Sequence, residues 1–347
     1  MQSTINKLIE RKNLSQPEAQ NFMSAIMSGQ VTAAQIGGFI TALRMKGETP
    51  EEITGCAMAM RDKAETISCG TSTIDTCGTG GDHLSTFNIS TTVAFVLAGG
   101  GLPVAKHGNR SVSSRSGSAD VLESLGVNVN LSPQQVESCF QKTGISFLFA
   151  PTFHKAMKYA VGPRRELGFR SIFNLLGPLT NPAGAQYQLI GVYDKKLTDT
   201  LARALLNIGV ERAMVVHGTD GMDEITLTGI SYVSEVRNNT VMSYQIDPST
   251  FGLKHCSPQE LKGGTAEENA VITRRILSGE EKGPKRDIVL LNAAAAFYVA
   301  GKVFTLQEGV ILAAEVLKKG AGEIMLDKLI SVSQSLPDQE QPGVAYV

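Results

Sequence analysis

Apolar positions in the first seventy residues recur at helical spacing. Within VTAAQIGGFITALRMKG, Ile36, Phe39, Ile40 and Leu43 fall on one face. Two helix starts flank this stretch. Ser15 opens SQPE and Thr49 opens TPEE, each with a capping hydroxyl, an early proline and a glutamate at the capping-box position. Gly37 and Gly38 interrupt the middle helix at a cost of ~1 kcal/mol each relative to alanine. Close helix–helix approach is the expected reason. A helical module this short buries little by itself, so it is expected to pack on something, a second subunit included.

From residue 73 the pattern alternates between strand and helix. Strands are predicted at Thr73–Cys77, Pro103–Ala105, Val127–Asn130, Ile145–Phe149, Gln188–Tyr193 and Ala213–Val216. Helices are predicted between them at Thr91–Ala98, Ala119–Leu125, Pro133–Thr143 and Leu197–Ile208. This βαβα rhythm implies a largely parallel sheet covered by helices. Ser231–Ile246, broken at Asn238-Asn239, reads as a hairpin. The last third carries helices in TAEENAVITRRILSG, in KRDIVLLNAAAAFYVAG and from about Leu306 to Lys319; Thr265 and Glu268 cap the first.

Composition narrows the class. The 347 residues are 42% hydrophobic and 19% charged, ordinary for a globular enzyme of one large and one smaller domain. A formal net charge of −1 argues against a general nucleic-acid or membrane-surface binder. No apolar run approaches the ~18 residues of a membrane span. The start, MQSTINKLIERKNLSQ, lacks the apolar core of a secretory signal. The five cysteines are scattered with no CxxC, so neither a disulfide framework nor a zinc site is expected. Reduced thiols in the cytoplasm follow.

Two polar runs stand out: DTCGTGGDHLSTFNIST at 75–91 and KHGNRSVSSRSGSAD at 106–120. Each follows an apolar strand and leads into a helix. Small residues, free backbone N–H groups and a helix N-terminus make an anion cradle. A glycine run alone is usually just a turn, and Asn88 or Ser90 alone usually just caps a helix. The position of the whole segment favours phosphate. Lys106, Arg110 and Arg115 supply the local positive charge that the overall composition lacks. A third loop, HGTDGMDEITLTG, carries Asp220, Asp223 and Glu224 after the strand AMVVH. Such a pair is ordinarily a solvated surface feature, but beside two phosphate cradles it suits Mg²⁺. A fourth stretch, Leu148 to Pro182, carries His154, Arg164, Arg165 and Arg170. One of these arginines would grip a carboxylate, and spacing alone does not choose among them.

Taken in order, GTGGD, NIST, KHGNRSVSS with its following SGS, LFAP, RSIFNLLGPLTNP, MDE and GGTAEEN resemble the anthranilate phosphoribosyltransferase family. The likeness covers nearly the whole chain. Pyrimidine nucleoside phosphorylases, the alternative within the same wider fold, have a KxSxR pattern where this chain has Lys106-His107-Gly108-Asn109-Arg110. The resemblance implies an α/β chain in which a small all-helical N-terminal domain is hinged to a larger α/β domain with a mainly parallel central sheet. The small domain would be 1–70 with about 165–185 returning to it; the larger would be 71–164 and 186–347. It implies transfer of the 5-phosphoribosyl group of phosphoribosyl pyrophosphate to anthranilate, with Mg²⁺, in tryptophan biosynthesis, by a cytoplasmic homodimer joined through its helical part.

By the same resemblance, phosphoribosyl pyrophosphate would meet Gly78, Gly81, Asp82, Thr86, Asn88, Ile89, Ser90 and Thr91. In the second run it would meet Lys106, His107, Gly108, Asn109, Arg110, Ser111, Val112, Ser113, Ser114 and Ser118. Anthranilate would meet Gly78, His107, Asn109 and Arg164, and Mg²⁺ would meet Ser90, Asp223 and Glu224. Catalysis would rest on positioning and electrostatics, with no certain acid or base. His83 is a departure: the family commonly has a small residue after GGD.

Overall fold

The computed structural model describes residues 1–111 and 115–336. Val112, Ser113 and Ser114 of the second polar run lie outside the described residues.

Seven strands form one sheet: β1 (Ile74–Asp75), β2 (Val104–Gly108), β3 (Ile145–Phe149), β4 (Tyr187–Gly191), β5 (Arg212–Gly218), β6 (Ser231–Arg237) and β7 (Thr240–Ile246). Their order is β3-β2-β1-β4-β5-β6-β7. The first five run parallel, and β6 and β7 add an antiparallel edge. The mainly parallel sheet is as expected, and so is the hairpin. Asn238 and Asn239 take φ of 52° and 55°, the left-handed pair that a two-residue hairpin turn needs.

One predicted strand is absent. Val127–Asn130 alternates buried and open residues as a strand would, yet it pairs with no neighbour. Two of its backbone donors go to side chains instead, Asn128 N–H to Ser333 Oγ at 3.1 Å and Asn130 N–H to Asn128 Oδ1 at 3.0 Å, while Val127 N–H turns back to Leu122 O at 2.9 Å. Val127, Val129 and Leu131 still enter the core, so the period-two pattern reports burial on one side rather than pairing. β2 runs further than predicted and carries Lys106 and His107 within the strand. A final helix, Ala321–Ser335, was not foreseen.

The sheet divides the apolar residues by face. Along β4 and β5, Leu189, Met214 and Val216 join one cluster with the helices Ile89–Gly99 and Pro284–Val299. Ile190, Ala213 and Val215 point the other way. They join a second cluster with Leu197–Ile208, the N-terminal helices, Ala160 and five residues between Ile172 and Leu179. Period-two alternation thus lets one strand serve two cores.

The N-terminal helices are Gln2–Ile9, Gln16–Met27, Ala33–Lys46 and Pro50–Lys63. Both predicted capping boxes form: Ser15 with Glu18, and Thr49 with Glu52. Glu52 does more than cap. Fully buried, it accepts from Leu14 N–H at 2.9 Å, Thr49 N–H at 2.9 Å and Lys46 Nζ at 2.8 Å, tying two turns together. The glycine expectation needs correcting. A methyl group at Gly37 or Gly38 would meet its nearest neighbour at 3.9 Å, an ordinary contact. The close approach is at Gly55, where a methyl would lie 2.3 Å from the Gln16 carbonyl oxygen. There the helices Gln16–Met27 and Pro50–Lys63 pack backbone to backbone.

Gly55→Ala should therefore destabilise the chain by about 1–3 kcal/mol through overpacking. Gly38→Ala should raise stability by ~0.5–1 kcal/mol. Equal melting temperatures for the two variants would contradict this assignment.

Candidate active site

In an open parallel sheet, ligands settle beyond the carboxyl ends of the strands, where the strand order turns back. Here that point lies between β1 and β4, since β1 leads to β2 on one side and pairs with β4 on the other. The loops after β1, β4 and β5 meet there. Gly191 ends β4, and a methyl group on it would lie 1.4 Å from the Asp223 carbonyl oxygen. At Gly78 it would lie 3.0 Å from Asp223 Oδ2. Two glycines thus let the acidic loop lie directly on the glycine loop. Gly78 was legible in the sequence; Gly191, inside an apolar strand, was not.

The 78–91 segment is strained open. Gly80 and Gly81 take φ of 67° and 80°; His83 and Ser85, with side chains, take 60° and 56°. Among the bonds that hold it are Thr79 N–H to Gly191 O at 2.9 Å, Gly80 N–H to Asp223 Oδ2 at 2.8 Å, and Leu84 N–H to Asp82 Oδ1 at 3.1 Å. Arg170 adds a clamp. Its guanidinium donates to Gly81 O and to His83 Nε2, and lies 4.3 Å over the Tyr193 ring. The helix Ile89–Gly99 begins at this loop, and Ser90 N–H donates to Glu224 Oε1 at 3.1 Å. Thr86 forms a bridge with Lys262. The side chains of Ile89 and Thr91 are buried, so only their backbone is left for a ligand.

Asn88 does not cap the helix with its side chain. The amide reaches across to the second polar run instead, donating to Ser116 O at 3.2 Å and accepting from Ser116 Oγ at 3.1 Å. In that run, Ser118 Oγ donates to Asn109 O at 3.1 Å, and Asn109 Oδ1 accepts from Arg110 N–H at 2.7 Å. Ser111 N–H and Gly117 N–H both donate to Asp120 Oδ2, at 3.0 and 2.8 Å. Gly108 is pressed against Ser118 Oγ, which a methyl would approach to 2.2 Å. Arg110 turns outward in a fork on Glu123, with Asp120 beside it. Its positive charge is matched by the protein itself.

Lys106 and His107 are neighbours on β2 and so face opposite sides of the sheet. Lys106 is buried, and its ammonium donates to Thr76 O at 3.0 Å and lies 3.5 Å from Ser90 Oγ. His107 turns toward the helical side, with Nδ1 3.1 Å from Gly177 O and its ring 5.2 Å from that of His154. Burial pushes the imidazoles down to about 3 for His107 and about 4 for His154. Both are neutral at physiological pH, and the Nε2 of each is buried without a partner among the described residues.

The acidic loop is pinned from below. Asp220 accepts from Thr226 and Thr228 hydroxyls at 2.8 and 2.6 Å, which makes it a brace for the loop. Asn292 holds Ile225 from both sides, through N–H and carbonyl, each at 2.9 Å. This leaves Asp223 and Glu224 pointing into the crevice. Burial, then repulsion from Asp82 for Asp223 and from Asp223 for Glu224, holds both carboxyls well above the ordinary carboxylate range. One Asp82 oxygen is buried with no hydrogen-bond partner among the described residues. Three carboxylates that repel one another, offering hard oxygen donors, fit a Mg²⁺-type cation. Among the described residues the tightest group of potential ligands is a different one, Asp75, Cys77 and His107. Asp75 is already bound by His107 N–H at 3.2 Å and Asn181 Nδ2 at 2.7 Å, so this group braces β1 against β2.

The structure also sorts the arginines. Arg165 is exposed, and Arg170 serves the glycine loop. Arg164 is half-buried, 5.0 Å over Phe173, and among the described residues it has no acceptor. Burial lowers its pKa. Phe173 belongs to the helix Ile172–Leu176, whose following Gly177 holds His107. A half-buried guanidinium with no acceptor among the described residues is equipped to pair with an anionic ligand.

Known proteins match this arrangement. Residues 70–323 match the family described as "Glycosyl transferase family, a/b domain", and residues 2–64 match "Glycosyl transferase family, helical bundle domain". The anthranilate phosphoribosyltransferase of Acetivibrio thermocellus is 58% identical over 336 residues, covering 96% of this chain and 97% of the relative. That of Alkaliphilus metalliredigens is 54% identical, covering 97% and 99%. Among solved structures, the enzyme from Thermus thermophilus superposes with a TM-score of 0.91 at 44% identity, covering 96% of this chain and 99% of that one. The Saccharomyces cerevisiae enzyme in complex with phosphoribosyl pyrophosphate and Mg has a TM-score of 0.88 at 29% identity, covering 96% and 98%.

The raised carboxyls make a stability prediction. A carboxyl with a folded-state pKa above its unfolded value keeps its proton longer in the fold, so its contribution is full at low pH and lost as pH rises. The pair's contribution to the ligand-free melting temperature should fall from about pH 4 into the neutral range, against the opposite trend from His107 and His154, whose lowered pKa values add stability as pH rises. In the double variant Asp223→Asn/Glu224→Gln that slope should flatten; an unchanged slope would clear the pair of responsibility.

Proposed function

The chain belongs to the anthranilate phosphoribosyltransferase family, and we infer that it transfers the 5-phosphoribosyl group of phosphoribosyl pyrophosphate to the amine of anthranilate. The products are N-(5-phosphoribosyl)anthranilate and pyrophosphate, in tryptophan biosynthesis. The observation that carries the reading is the convergence of two loops on the acidic pair: Gly80 N–H on Asp223 and Ser90 N–H on Glu224. It joins an amide-rich anion cradle to a cation site in one crevice.

In this reaction the bond from ribose C1 to the pyrophosphate oxygen breaks and takes its electron pair with it. The arylamine nitrogen forms the new bond to C1 and gives up a proton. An arylamine is already unprotonated at neutral pH, so positioning outweighs general-base catalysis. Mg²⁺, when bound, supplies positive charge for the pyrophosphate oxygens, and Asp223 and Glu224 with Ser90 would hold it. The 78–91 loop and the N-terminus of Ile89–Gly99 favour the developing negative charge. Lys106, fixed by Thr76, adds a buried cation on the same side of the sheet. The 106–118 run holds the remainder of the donor. Arg164 takes the anthranilate carboxylate, with His107 and Asn109 beside the ring.

The same reading makes 1–70 and about 165–185 a helical domain hinged to the rest, closing to exclude water. Residues 172–179 pack in one apolar cluster with the N-terminal helices, and that cluster continues onto the β4–β5 face and Leu197–Ile208. It also makes the enzyme a cytoplasmic homodimer joined through that domain. The exposed Ile9, Met45, Leu167 and Phe169 there supply apolar surface for such a contact. Sedimentation at the dimer mass, lost when Met45 and Phe169 become charged, is the expected result.

Anthranilate fluorescence should fall only when phosphoribosyl pyrophosphate and Mg²⁺ are both present. Consumption without the donor, or none with it, would end the reading. Arg164→Ala should raise the anthranilate KM by about tenfold or more while moving the donor KM little, as loss of a charged hydrogen bond implies. The reverse order would remove Arg164 from the acceptor site.

A further inference from the structure

GGTAEEN, residues 263–269, takes no part in the reaction as described, yet it lies against the glycine loop. Lys262 bridges Thr86, and Gly263 N–H donates to Ser85 O at 2.9 Å. The approach is close enough that a methyl at Gly263 would lie 2.6 Å from Phe87 Cα and 2.4 Å from Asn269 Oδ1. Thr265 and Glu268 form the capping box of the helix Ala266–Leu277, and Asn269 sits one residue beyond, only 1% exposed. Asn269 Oδ1 accepts from Gly264 N–H at 2.8 Å, and Nδ2 donates to Asn88 Oδ1 at 3.0 Å.

These bonds fix which way the Asn88 amide points. Its oxygen takes donors from Asn269 Nδ2 and Ser116 Oγ, and its nitrogen gives a proton to Ser116 O. If the amide turned over, oxygen would face the Ser116 carbonyl and nitrogen would face the Asn269 nitrogen. Both contacts would then repel. Asn88 sits in one phosphate-binding run and Ser116 in the other. Asn269, behind both, therefore sets the one amide orientation that joins them.

We propose that Asn269 is a positioning residue for phosphoribosyl pyrophosphate, holding the two phosphate-binding runs in register through the Asn88 amide. The inference rests on the activity inferred above, since it names a support for that same site. Asn269 touches no reacting atom. Its effect falls chiefly on the donor, because the two runs it joins hold the donor; of the acceptor groups, Arg164 lies on another element, His107 is fixed by Gly177, and Asn109 is fixed by Arg110 N–H and Ser118 Oγ.

Asn269→Asp isolates the claim. It keeps size and shape and replaces only the donating nitrogen with an acceptor. At neutral pH the KM for phosphoribosyl pyrophosphate should rise about tenfold, with the anthranilate KM within about twofold of wild type. As pH falls toward 5 the introduced carboxyl takes up a proton and can donate again, so the ratio of variant to wild-type donor KM should shrink. A purely structural role would give no such recovery. Asn269→Ser, too short to reach Asn88, should show the same donor-specific penalty at every pH, and it carries the test should the carboxyl variant not fold. Wild-type protein that fails to turn over the two substrates overturns the activity and this inference with it. Active wild type with equal losses toward both substrates, or variants that lose thermal stability without a donor KM shift, overturns this inference alone.

Discussion

The site depends on one close approach. At Gly191 the backbone of β4 passes so near the Asp223 carbonyl that no side chain fits between them. That contact lets the loop after β5 lie over the loop after β1. From there Asp223 receives the Gly80 amide, and Glu224 receives the Ser90 amide at the start of a helix. Any larger residue at 191 would lift the acidic pair off the cradle, and the amides and carboxylates would no longer share a crevice.

Electrostatics follows from that geometry. Packing Asp82, Asp223 and Glu224 around one crevice raises the Asp223 and Glu224 carboxyls, because charge there is desolvated and crowded. A cation relieves the strain that the fold creates. On the other side of the sheet, burial keeps His107 and His154 neutral, and Arg164 has no acceptor among the described residues. The alternation of β2 separates the two environments: Lys106 faces Thr76 and Ser90 beside the acidic crevice, and His107 faces Gly177 and His154.

The support around the crevice is mostly polar and mostly borrowed from distant segments. Asn292 fixes the acidic loop, Arg170 clamps Gly81 and His83, and Asn181 ties Asp75 to β2. Each lies about 70 or more residues from what it holds, and each is an ordinary polar residue in its own local pattern. Arg170 was visible as one of three arginines, and nothing in its spacing set it apart. Asn269 had a motif around it but no local reason to matter.

The sequence by itself determined whatever depends on neighbours along the chain. Capping boxes at Ser15, Thr49 and Thr265, the Asn238-Asn239 turn, the parallel sheet and the two glycine-serine runs were all legible, because their signals lie within a few residues. Gly37 and Gly38 misled, because a glycine signals that a close contact is permitted and does not say that one occurs. Val127–Asn130 misled, because one-sided burial imitates a strand. Only the tertiary structure decided that Gly55 and Gly191 are the crowded glycines, that Arg110 is matched by Glu123 while Arg164 has no acceptor among the described residues, and that Asn88 spans two loops rather than capping one helix. Those are statements about which surfaces meet, and a chain reveals its partners across space only once it is folded.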